Sequence, residues 1–494
     1  MVFSSTVFLF LFLPITLLLY FNPLCKKREY RNIVLLIMSL GFYGWGEPVF
    51  IFLMLLSIVV NWFLALQVDK NSEVKVQKRI VGVAVFYNLG ILFIFKYLTF
   101  VLQNIGLLIH NQEIVINIAL PIGISFFTFQ ILSYVLDVYY GNAKVQKNVL
   151  NVALYISMFP QLVAGPIVRY SVVAEEIQSR KENAQDFTDG FTRFVFGLGK
   201  KVLIANYLAM MVDNIFIMEN RSVATLWLGC IGYALQIYFD FSGYSDMAIG
   251  LGKVFGFTFN ENFNYPYISK SIPEFWRRWH ISVSEWFRDY LFYPIIRSDW
   301  CIRLSNWSKK KFSKDVAKLI PTLVATMIVW AATGIWHGAN WTYILWGVYY
   351  GVLISLSHIV KKPMKKWNKE HAFTNSKWFE LFRIIRTMFL VCIGYVLFRA
   401  DSVSYAWSYL KGMFGIGVTQ GIDDVFMEYM SNAKYVLTAA FIFSLPVIPW
   451  LKENKKIPTM IKEAGVNIAL IVVFILSILV SIKSTYNPFI YFNF

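Results

Sequence analysis

Apolar runs separated by short charged loops extend along nearly the whole of this chain of 494 residues. A membrane-spanning helix requires roughly 20 predominantly apolar residues, and many of these runs approach or reach that length. The predicted spans are 5–21, 32–45, 48–67, 80–101, 115–135, 192–217, 223–250, 320–337, 341–360, 382–399, 434–450 and 465–483. The pattern therefore predicts an all-α, polytopic membrane protein that contacts the lipid bilayer along most of its length.

The composition supports this prediction, because 57% of the residues are hydrophobic and only 15% are charged, against about 25% in ordinary soluble domains. The formal net charge of +17 would favour nucleic-acid binding in a soluble protein. Here the positive residues cluster in loops between apolar runs, as membrane topology requires, and we expect no nucleic-acid partner. Residues 1–494 are predicted to form a single membrane-embedded domain.

The basic loops also predict the orientation of the chain. Lysines and arginines concentrate in 26–31, 70–79, 297–318 and 361–369, and such clusters favour the cytoplasmic side of a membrane. The first apolar run has no preceding basic residue and no following small-residue cleavage pattern, so it is predicted to be a span and not a signal peptide. We expect a multi-pass protein of the inner or plasma membrane with its N-terminus outside the cytoplasm.

Segment 150–170 is apolar but contains Pro160, Gly165 and Pro166. Proline removes a backbone donor and interrupts helices, and irregular backbone at membrane depth is tolerated only where protein or a water-filled cavity surrounds it. The segment is therefore predicted to be re-entrant or interfacial, and not a continuous span.

Segment 271–294, SIPEFWRRWHISVSEWFRDYLFYP, is too charged to span a membrane. Ser271, followed by an early proline and an acidic first turn, is typical of a helix start, and tryptophans recur at helical spacing. A helix is predicted, with His280 in its middle. It lies either at the membrane interface, where it would bind anionic lipid, or along a polar cavity of the protein, and the residues alone leave both alternatives open.

Two carboxylates, Asp240 and Asp246, lie inside the apolar segment 223–250. Acidic side chains are expensive in a membrane segment, so they are expected to face a cavity or a charged partner. The arginines of 277–288 are the predicted partners. A structural ion pair is favoured over a direct catalytic role.

The stretch TGIWHGANWTYILWG, residues 333–347, contains His337, one of five histidines in the chain. A lone histidine on an apolar face is usually a packed core residue. Here a functional role is favoured, because ionisable groups inside membranes are usually functional and histidine suits acid–base chemistry near neutral pH. Gly334, Gly338 and Ala339 are expected to leave room for a ligand beside it.

No metal site is predicted. His280 and His337 are far apart in the sequence, and neither has an H-x-x-x-H partner or an adjacent thiolate. The four cysteines form no CxxC pair, so they indicate neither a zinc site nor a disulfide framework.

Two motifs together carry a specific resemblance. The stretches FWRRWHISVSEWFRDYLFYP and GIWHGANWTYILWG, with YFDFSGYSDMAIGLGKVFGF, resemble the membrane-bound O-acyltransferase family, and within it the bacterial alginate and peptidoglycan O-acetyltransferase branch. The resemblance extends over nearly the whole chain. It implies a ring of helices around a central funnel or tunnel, with re-entrant and interfacial helices, in which an acyl donor enters from the cytoplasm and the acceptor from the other face or from the membrane.

The resemblance also implies an activity. We expect transfer of an acetyl group from acetyl-CoA, with no bound cofactor, towards hydroxyls of an extracytoplasmic polysaccharide such as an alginate-like polymer, peptidoglycan or another exopolysaccharide. The family's conserved histidine maps onto His337, the expected general base, and a second polar position maps onto His280, which is expected to position a substrate or stabilise carbonyl charge. An extracytoplasmic esterase-like protein is the expected partner.

Further side chains expected to bind substrate come from the same motifs and from the acidic span. They are Trp276, Arg277, Arg278, Trp279, Ser282, Trp286, Arg288, Asp289, Trp336, Asn340, Asp240 and Asp246. Direct transfer is expected because no obvious nucleophile is apparent, and a relay through an acyl-enzyme or a partner is the alternative mechanism. By composition, a polytopic transporter or flippase of a cell-envelope precursor is the alternative function.

Overall fold

The computed structural model describes residues 1–110, 116 and 118–483. Over these residues the regular secondary structure is helical and contains no β-strand, which confirms the predicted all-α fold. The first α-helices are α1 (Leu13–Tyr20), α2 (Arg28–Gly46), α3 (Phe50–Lys70), α4 (Val74–Leu92), α5 (Leu98–Leu108), α6 (Ile124–Tyr140), α7 (Val149–Ser157), α8 (Phe159–Leu162), α9 (Tyr170–Ser179), α10 (Ala184–Gly199) and α11 (Asn206–Ile217).

The following α-helices carry the two motifs and the C-terminal part. They are α12 (Val223–Val254), α13 (Ile272–Arg278), α14 (Ile281–Phe287), α15 (Tyr293–Arg297), α16 (Asp299–Lys311), α17 (Lys314–His337), α18 (Trp341–Glu370), α19 (Lys377–Arg399), α20 (Val403–Met413), α21 (Asp424–Ser444), α22 (Val447–Glu453) and α23 (Thr459–Lys483). Short π-helical turns occupy Phe8–Phe12, Phe93–Tyr97, Lys200–Ala205 and Arg288–Phe292, and 3-10 turns occupy Pro266–Ile268 and Ala372–Asn375.

The chain packs as two compact units. The first comprises Met1–Leu203, Asp240–Glu261 and the stretch that begins at Glu463, and the second comprises Ile204–Phe239 and Asn262–Lys462. Helix α12 contributes its first half to the second unit and its second half to the first. The single domain over 1–494 and the ring of helices around a funnel stay predictions.

Seven helical segments among the described residues are long and apolar enough to cross a membrane. They are Phe50–Lys70, Val74–Leu108, Ala184–Ile217, Lys314–His337, Trp341–Glu370, Lys377–Arg399 and Thr459–Lys483. The pair α21 and α22 forms an eighth if its two helices, bent by 57° from each other, count as one span. These segments confirm the prediction of a polytopic membrane protein.

Other predicted spans take different forms. The predicted span 5–21 corresponds to a shorter apolar helix, and 32–45 and 223–250 lie inside the continuous helices α2 and α12. The predicted span 434–450 is interrupted, because helix α21 ends just before Pro446 and α22 starts in a new direction after it. A proline cannot donate the backbone hydrogen bond that would continue the helix.

The predicted span 115–135 is helical only from Ile124 onwards, and residues 115 and 117 lie outside the described residues. The backbone N–H of Ile124 donates to the carbonyl of Pro121 at 3.2 Å, and Gly123 takes a left-handed conformation with φ of 75°. This proline and glycine form a turn that delays the start of α6.

Segment 150–170 has the interrupted structure that its prolines and glycine predict. Helix α7 ends at Ser157, the single turn α8 follows, and irregular backbone continues to Arg169. A Cβ atom on Gly165 would lie 2.5 Å from the Cα atom of Gln161, so this turn requires glycine. The hydroxyl of Tyr155 donates to the carbonyl of Val168 at 2.8 Å and satisfies part of the irregular backbone. The re-entrant or interfacial position of segment 150–170 relative to the bilayer stays a prediction.

Helices α10 and α12 approach closely within the first unit. A Cβ atom on Gly190 would lie 2.5 Å from the carbonyl oxygen of Gly250, and one on Gly197 would lie 2.6 Å from that of Gly243. Small residues at helix contacts allow the backbones to come together in membrane proteins. The contact brings charged side chains of α10 beside the acidic part of α12.

Candidate functional site

His337 is the last residue of α17, and a tight turn fixes its position. The N–H of Gly338 donates to the carbonyl of Ile335 at 3.2 Å. Two residues later the Oδ1 atom of Asn340 accepts the N–H of Thr342 at 3.0 Å and begins α18. Asparagine is a favoured residue at this helix-capping position. The turn holds the imidazole of His337 at the end of a predicted membrane span, where it is 6% exposed.

Three aromatic rings enclose the imidazole of His337. The ring centroids of Trp336 and Trp346 both lie 4.8 Å from that of His337, and that of Phe398 lies 5.1 Å away. The interplanar angles of 69°, 81° and 82° make all three contacts edge-to-face. Such contacts restrict the orientation of the imidazole and exclude water from its sides.

A second group of rings continues from Trp346. The centroid of Trp276 lies 5.5 Å from that of Trp346 and 4.9 Å from that of Tyr350, and the ring of Trp330 contacts all three. The atoms Trp276 Nε1, Trp346 Nε1 and Tyr350 Oη are buried and have no hydrogen-bond partner within the described part of the chain. Buried polar atoms are normally satisfied, so this cluster offers three donors to a bound molecule.

His280 lies between α13 and α14, which corrects the prediction of one continuous helix over this motif. Its backbone adopts a left-handed conformation with φ of 44°. The break has a tertiary cause, because the carbonyl of Asn262 accepts the N–H of Ile281 at 3.0 Å and the Asn262 side chain accepts that of Ser282 at 3.2 Å. Left-handed backbone is uncommon for residues other than glycine and concentrates at functional sites.

The ring of His280 has a defined protonation state. Its Nδ1 atom lies 3.2 Å from Asn262 Oδ1, an oxygen that also accepts the backbone N–H of Ser282. Because that oxygen is an acceptor, Nδ1 carries the hydrogen and Nε2 is the acceptor nitrogen of a neutral ring. Burial lowers the pKa of His280 from 6.5 to about 3, so the ring is neutral at physiological pH.

Trp336 connects the two histidines. Its ring centroid lies 4.8 Å from that of His337 and 6.1 Å from that of His280. All three residues are buried in the second unit. The structure therefore brings the histidines of both sequence motifs into one site, built from the end of α17 and the break between α13 and α14.

A model of the membrane-bound O-acyltransferase (MBOAT) family matches residues 42–375, which include both of these histidines. The chain belongs to the membrane-bound O-acyltransferase family. This confirms the resemblance shown by the two motifs. It also decides between the two functional classes that the composition left open, in favour of an enzyme and against a transporter or flippase.

Individual relatives agree with this assignment. The acyltransferase is 39% identical to the probable alginate O-acetylase AlgI of Pseudomonas aeruginosa, over 85% of this chain and 76% of that protein. It is 34% identical to the probable alginate O-acetylase AlgI of Azotobacter vinelandii over the full length of both chains. It is 31% identical to the peptidoglycan O-acetyltransferase of Helicobacter pylori, over 84% of this chain and 80% of that protein.

Other predicted substrate-binding residues of the acyltransferase support the framework around the site. The Ser282 hydroxyl donates to Asn262 Oδ1 at 3.0 Å. Trp279 is buried against Phe275 and Tyr395, and Trp286 packs on Phe287 and Tyr290. The Asn340 amide donates to the carbonyl of Asp401 at 3.0 Å. Contact of these four residues with substrate stays a prediction.

The charged side chains of the first motif are more exposed. Arg278 pairs with Glu274 at 3.1 Å, and Arg288 pairs with Asp289 at 2.8 Å. The Arg288–Asp289 contact raises the pKa of the Arg288 guanidinium above its usual value. Arg277 is exposed. Binding of substrate by these charged residues stays a prediction.

Asp240 and Asp246 form ion pairs, as predicted, but their partners differ from the predicted arginines of 277–288. Lys201 Nζ lies 2.5 Å from Asp240 Oδ1, and both side chains are buried. Asp246 accepts hydrogen bonds from Arg193 and Lys200. The partners differ because the glycine contacts between α10 and α12 place the basic residues around position 200 beside these carboxylates.

Gly334 and Gly338, two of the small residues beside His337, pack against other parts of the acyltransferase, which corrects the expectation that they leave room for a ligand. A Cβ atom on Gly334 would lie 2.5 Å from the carbonyl oxygen of Tyr343, and one on Gly338 would lie 2.4 Å from the Tyr343 ring. Gly334 also contacts Gly347, so these glycines allow α17 and α18 to approach each other. Ala339 completes the turn between the two helices.

Sequence reasoning missed Trp330, Trp346, Tyr350 and Phe398 as parts of the site. Trp346 and Tyr350 are four residues apart, a spacing that places them on one face of α18. That spacing and the position of both residues just after the His337 turn were a usable signal. Phe398 comes from the distant helix α19 and has no comparable local signal.

Proposed function

We propose that this O-acyltransferase transfers an acetyl group from acetyl-CoA to hydroxyls of an extracytoplasmic cell-surface polysaccharide, with His337 as general base. The relatives named as alginate O-acetylases and as a peptidoglycan O-acetyltransferase support both the acetyl group and the polymeric acceptor. The orientation with the N-terminus outside an inner or plasma membrane, and an esterase-like partner outside the cytoplasm, belong to the same proposal.

The observation that carries the proposal is the buried, ring-enclosed imidazole of His337, which contacts the same Trp336 ring as His280. An imidazole held in one orientation can accept the proton of an acceptor hydroxyl as its oxygen attacks the thioester carbonyl. When the carbon–sulfur bond breaks, the thiolate leaves and takes the proton back from the imidazolium. The ester on the acceptor and free CoA are then the products, and His337 is restored.

His280 has a different part in this scheme. A pKa of about 3 makes it a weak base, and its acceptor Nε2 cannot donate a hydrogen bond to a negatively charged oxygen. It is suited to accept a hydrogen bond from a substrate hydroxyl and to orient that hydroxyl. This revises the expectation that His280 could stabilise developing charge on the carbonyl.

The charge that develops on the thioester carbonyl requires hydrogen-bond donors. Trp346 Nε1, in a ring that encloses His337, and Trp276 Nε1 and Tyr350 Oη, in the rings that contact Trp346, are buried donors. In this proposal one or more of them bind the carbonyl oxygen. Donors fixed in a dry site stabilise such charge more strongly than water does, because they need no reorganisation during the reaction.

The proposal is tested with the purified full chain in lipid nanodiscs, supplied with acetyl-CoA labelled in the acetyl group. Acceptors are an alginate-like polymer or peptidoglycan fragments, each with and without an esterase-like protein as the proposed partner. We expect polymer-bound label and an equal amount of free thiol. Thiol release without ester formation on any polymer or partner would overturn the proposed transfer, and label from another acyl donor but not from acetyl-CoA would overturn the proposed donor.

A further inference from the structure

A cluster of three arginines around one carboxylate lies in the first unit, at the end of α1 and the start of α2. Glu182 accepts a hydrogen bond from Arg28 Nη1 at 2.6 Å through Oε1 and one from Arg31 Nη1 at 2.6 Å through Oε2. Arg180 Nε lies 3.6 Å from the same carboxylate, and the hydroxyl of Tyr20 donates to it. We name these side chains of Arg28, Arg31, Arg180 and Glu182 the arginine cluster.

The arginine cluster has a surplus of positive charge. Three guanidinium groups surround one carboxylate, and guanidinium groups remain charged at any physiological pH. Burial disfavours ionisation of Glu182, yet the hydrogen bonds from Arg28 and Tyr20 lower its pKa to about 2, so it supplies a full negative charge. Of the other nearby carboxylates, Glu29 is exposed and that of Glu176 accepts the backbone N–H of Thr258.

Part of this surplus is buried and lacks a hydrogen-bond acceptor. The Arg180 side chain is 1% exposed, and its Nε and Nη1 atoms donate to the carbonyl of Phe255 and to Asn32. Its Nη2 atom and the Nε atom of Arg31 are buried and have no acceptor among the described residues. Unsatisfied charged donors away from water are costly, so the cluster has both the charge and the donors for a second anion.

The surroundings indicate which anion fits. Arg28 and Arg31 are the partly exposed members, with 19% and 15% of their side chains accessible. Leu18 and Leu24, in the chain just before them, are 75% and 92% exposed. Arginine forms forked hydrogen bonds to phosphate, and exposed apolar side chains beside basic residues match a phospholipid, whose phosphate is followed by acyl chains.

We propose that the arginine cluster binds the phosphate of an anionic phospholipid, with Arg31 as the accessible hydrogen-bonding ligand and the acyl chains beside Leu18 and Leu24. Both terminal nitrogens of Arg28 already donate within the cluster, so Arg28 contributes its charge. Lys26 and Lys27, which are exposed between these residues, add to the local positive potential. The site belongs to the first unit and is independent of the proposed acetyl transfer. A lipid held there would stabilise the junction between α1, α2 and the chain around Arg180.

The test uses the full chain in detergent, with phosphatidylglycerol, phosphatidylcholine or inorganic phosphate added in turn, and native mass spectrometry as the readout. We expect the parent protein to retain phosphatidylglycerol in preference to phosphatidylcholine. Arg31→Gln should weaken that retention by about tenfold or more, since one charge-assisted contact is lost. Lys26→Gln, which removes an exposed neighbouring charge, is the matched control and should retain the lipid nearly as well as the parent.

Three other outcomes would contradict the proposal. Equal retention of the two lipids by the parent protein would overturn it without any variant, so a folding defect in Arg31→Gln cannot conceal the result. Equal weakening by Arg31→Gln and Lys26→Gln would show only diffuse attraction to the surface. Displacement of the lipid by millimolar inorganic phosphate would assign the cluster to a soluble phosphate.

Discussion

Asn262 holds the ring of His280 from outside the two helices that flank this histidine. Its Oδ1 atom lies 3.2 Å from His280 Nδ1 and also accepts the backbone N–H and the hydroxyl of Ser282. One side-chain oxygen therefore fixes the tautomer of His280 and satisfies the backbone at the start of α14. Hydrogen-bond partners that fix the tautomer and orientation of a histidine can affect activity without touching the substrate.

Replacing Asn262 tests this role. Asn262→Ala removes the common acceptor of His280 and Ser282, and we expect acetyl transfer to fall by about 10- to 100-fold, the usual range for an orienting residue. Asn262→Asp offers a carboxylate oxygen to the same donors and should keep most of the activity. Initial rates at equal amounts of folded protein provide the comparison. Equal losses in both variants would show that the acceptor oxygen has no part in catalysis.

The neutral ring of His280 predicts acid sensitivity of the fold. Burial lowers its pKa from 6.5 to about 3, so below pH 6.5 the unfolded chain binds a proton that the folded chain does not. This contribution to stability is complete above pH 6.5 and declines as the pH falls towards 3, by at most about 1.4 kcal/mol per pH unit. Between about pH 7 and pH 4.5, His280→Asn should therefore lose less stability than the parent in thermal unfolding. Parallel losses would contradict the prediction.

The close contact between α17 and α18 predicts that Gly334 tolerates no larger residue. Gly334→Ala would place a Cβ atom 2.5 Å from the Tyr343 carbonyl oxygen, and overpacking of this kind costs about 1–3 kcal/mol. The control is Gly82→Ala in α4, where a Cβ atom meets nothing within 4 Å and alanine favours the helix by about 0.5–1 kcal/mol. Melting temperatures in one detergent provide the comparison. A Gly334→Ala protein as stable as the parent would indicate open space beside the turn, as the sequence had suggested.

The buried pair of Lys201 and Asp240 predicts that a single substitution destabilises the fold and that a second substitution at the partner restores stability. Lys201→Met leaves a buried carboxylate without this cation and should destabilise the fold by about 3–5 kcal/mol, whereas Lys201→Met with Asp240→Leu should recover most of that loss. The folded yield and melting temperature of the three proteins test the pairing. A double variant that is stable but inactive would assign the pair a part in the reaction, and one that is stable and active would assign it to the fold.

Much of the fold follows directly from the sequence. Apolar length predicts the membrane helices, because a bilayer imposes a fixed length on them. The prolines at 160 and 446 explain why two apolar segments are not straight spans. The motif around His337 also predicts a functional residue, because an ionisable ring in an apolar segment is costly unless it is used.

The remaining features depend on contacts between distant parts of the chain. The break at His280 is made by Asn262, and helical spacing within the motif contains no information about that residue. The partners of Asp240 and Asp246 depend on how closely α10 and α12 approach. Glycines allow this close approach, but the sequence does not show that these two helices pack against each other. The sequence predicts space for a ligand at Gly334 and Gly338, and only the structure shows that Tyr343 fills it.

The acetate content of the cell-surface polymer tests most directly whether His337 is the catalytic base. His337→Gln keeps a polar side chain of similar size but cannot act as a base, and loss of a general base costs about 100- to 10,000-fold in rate. His358→Gln, at a half-buried histidine of α18, is the matched control. At equal protein levels in the membrane, we expect polymer acetate to be lost with His337→Gln and retained with His358→Gln. Polymer acetate at the parent level in the His337→Gln strain would contradict the assignment of His337 as the base.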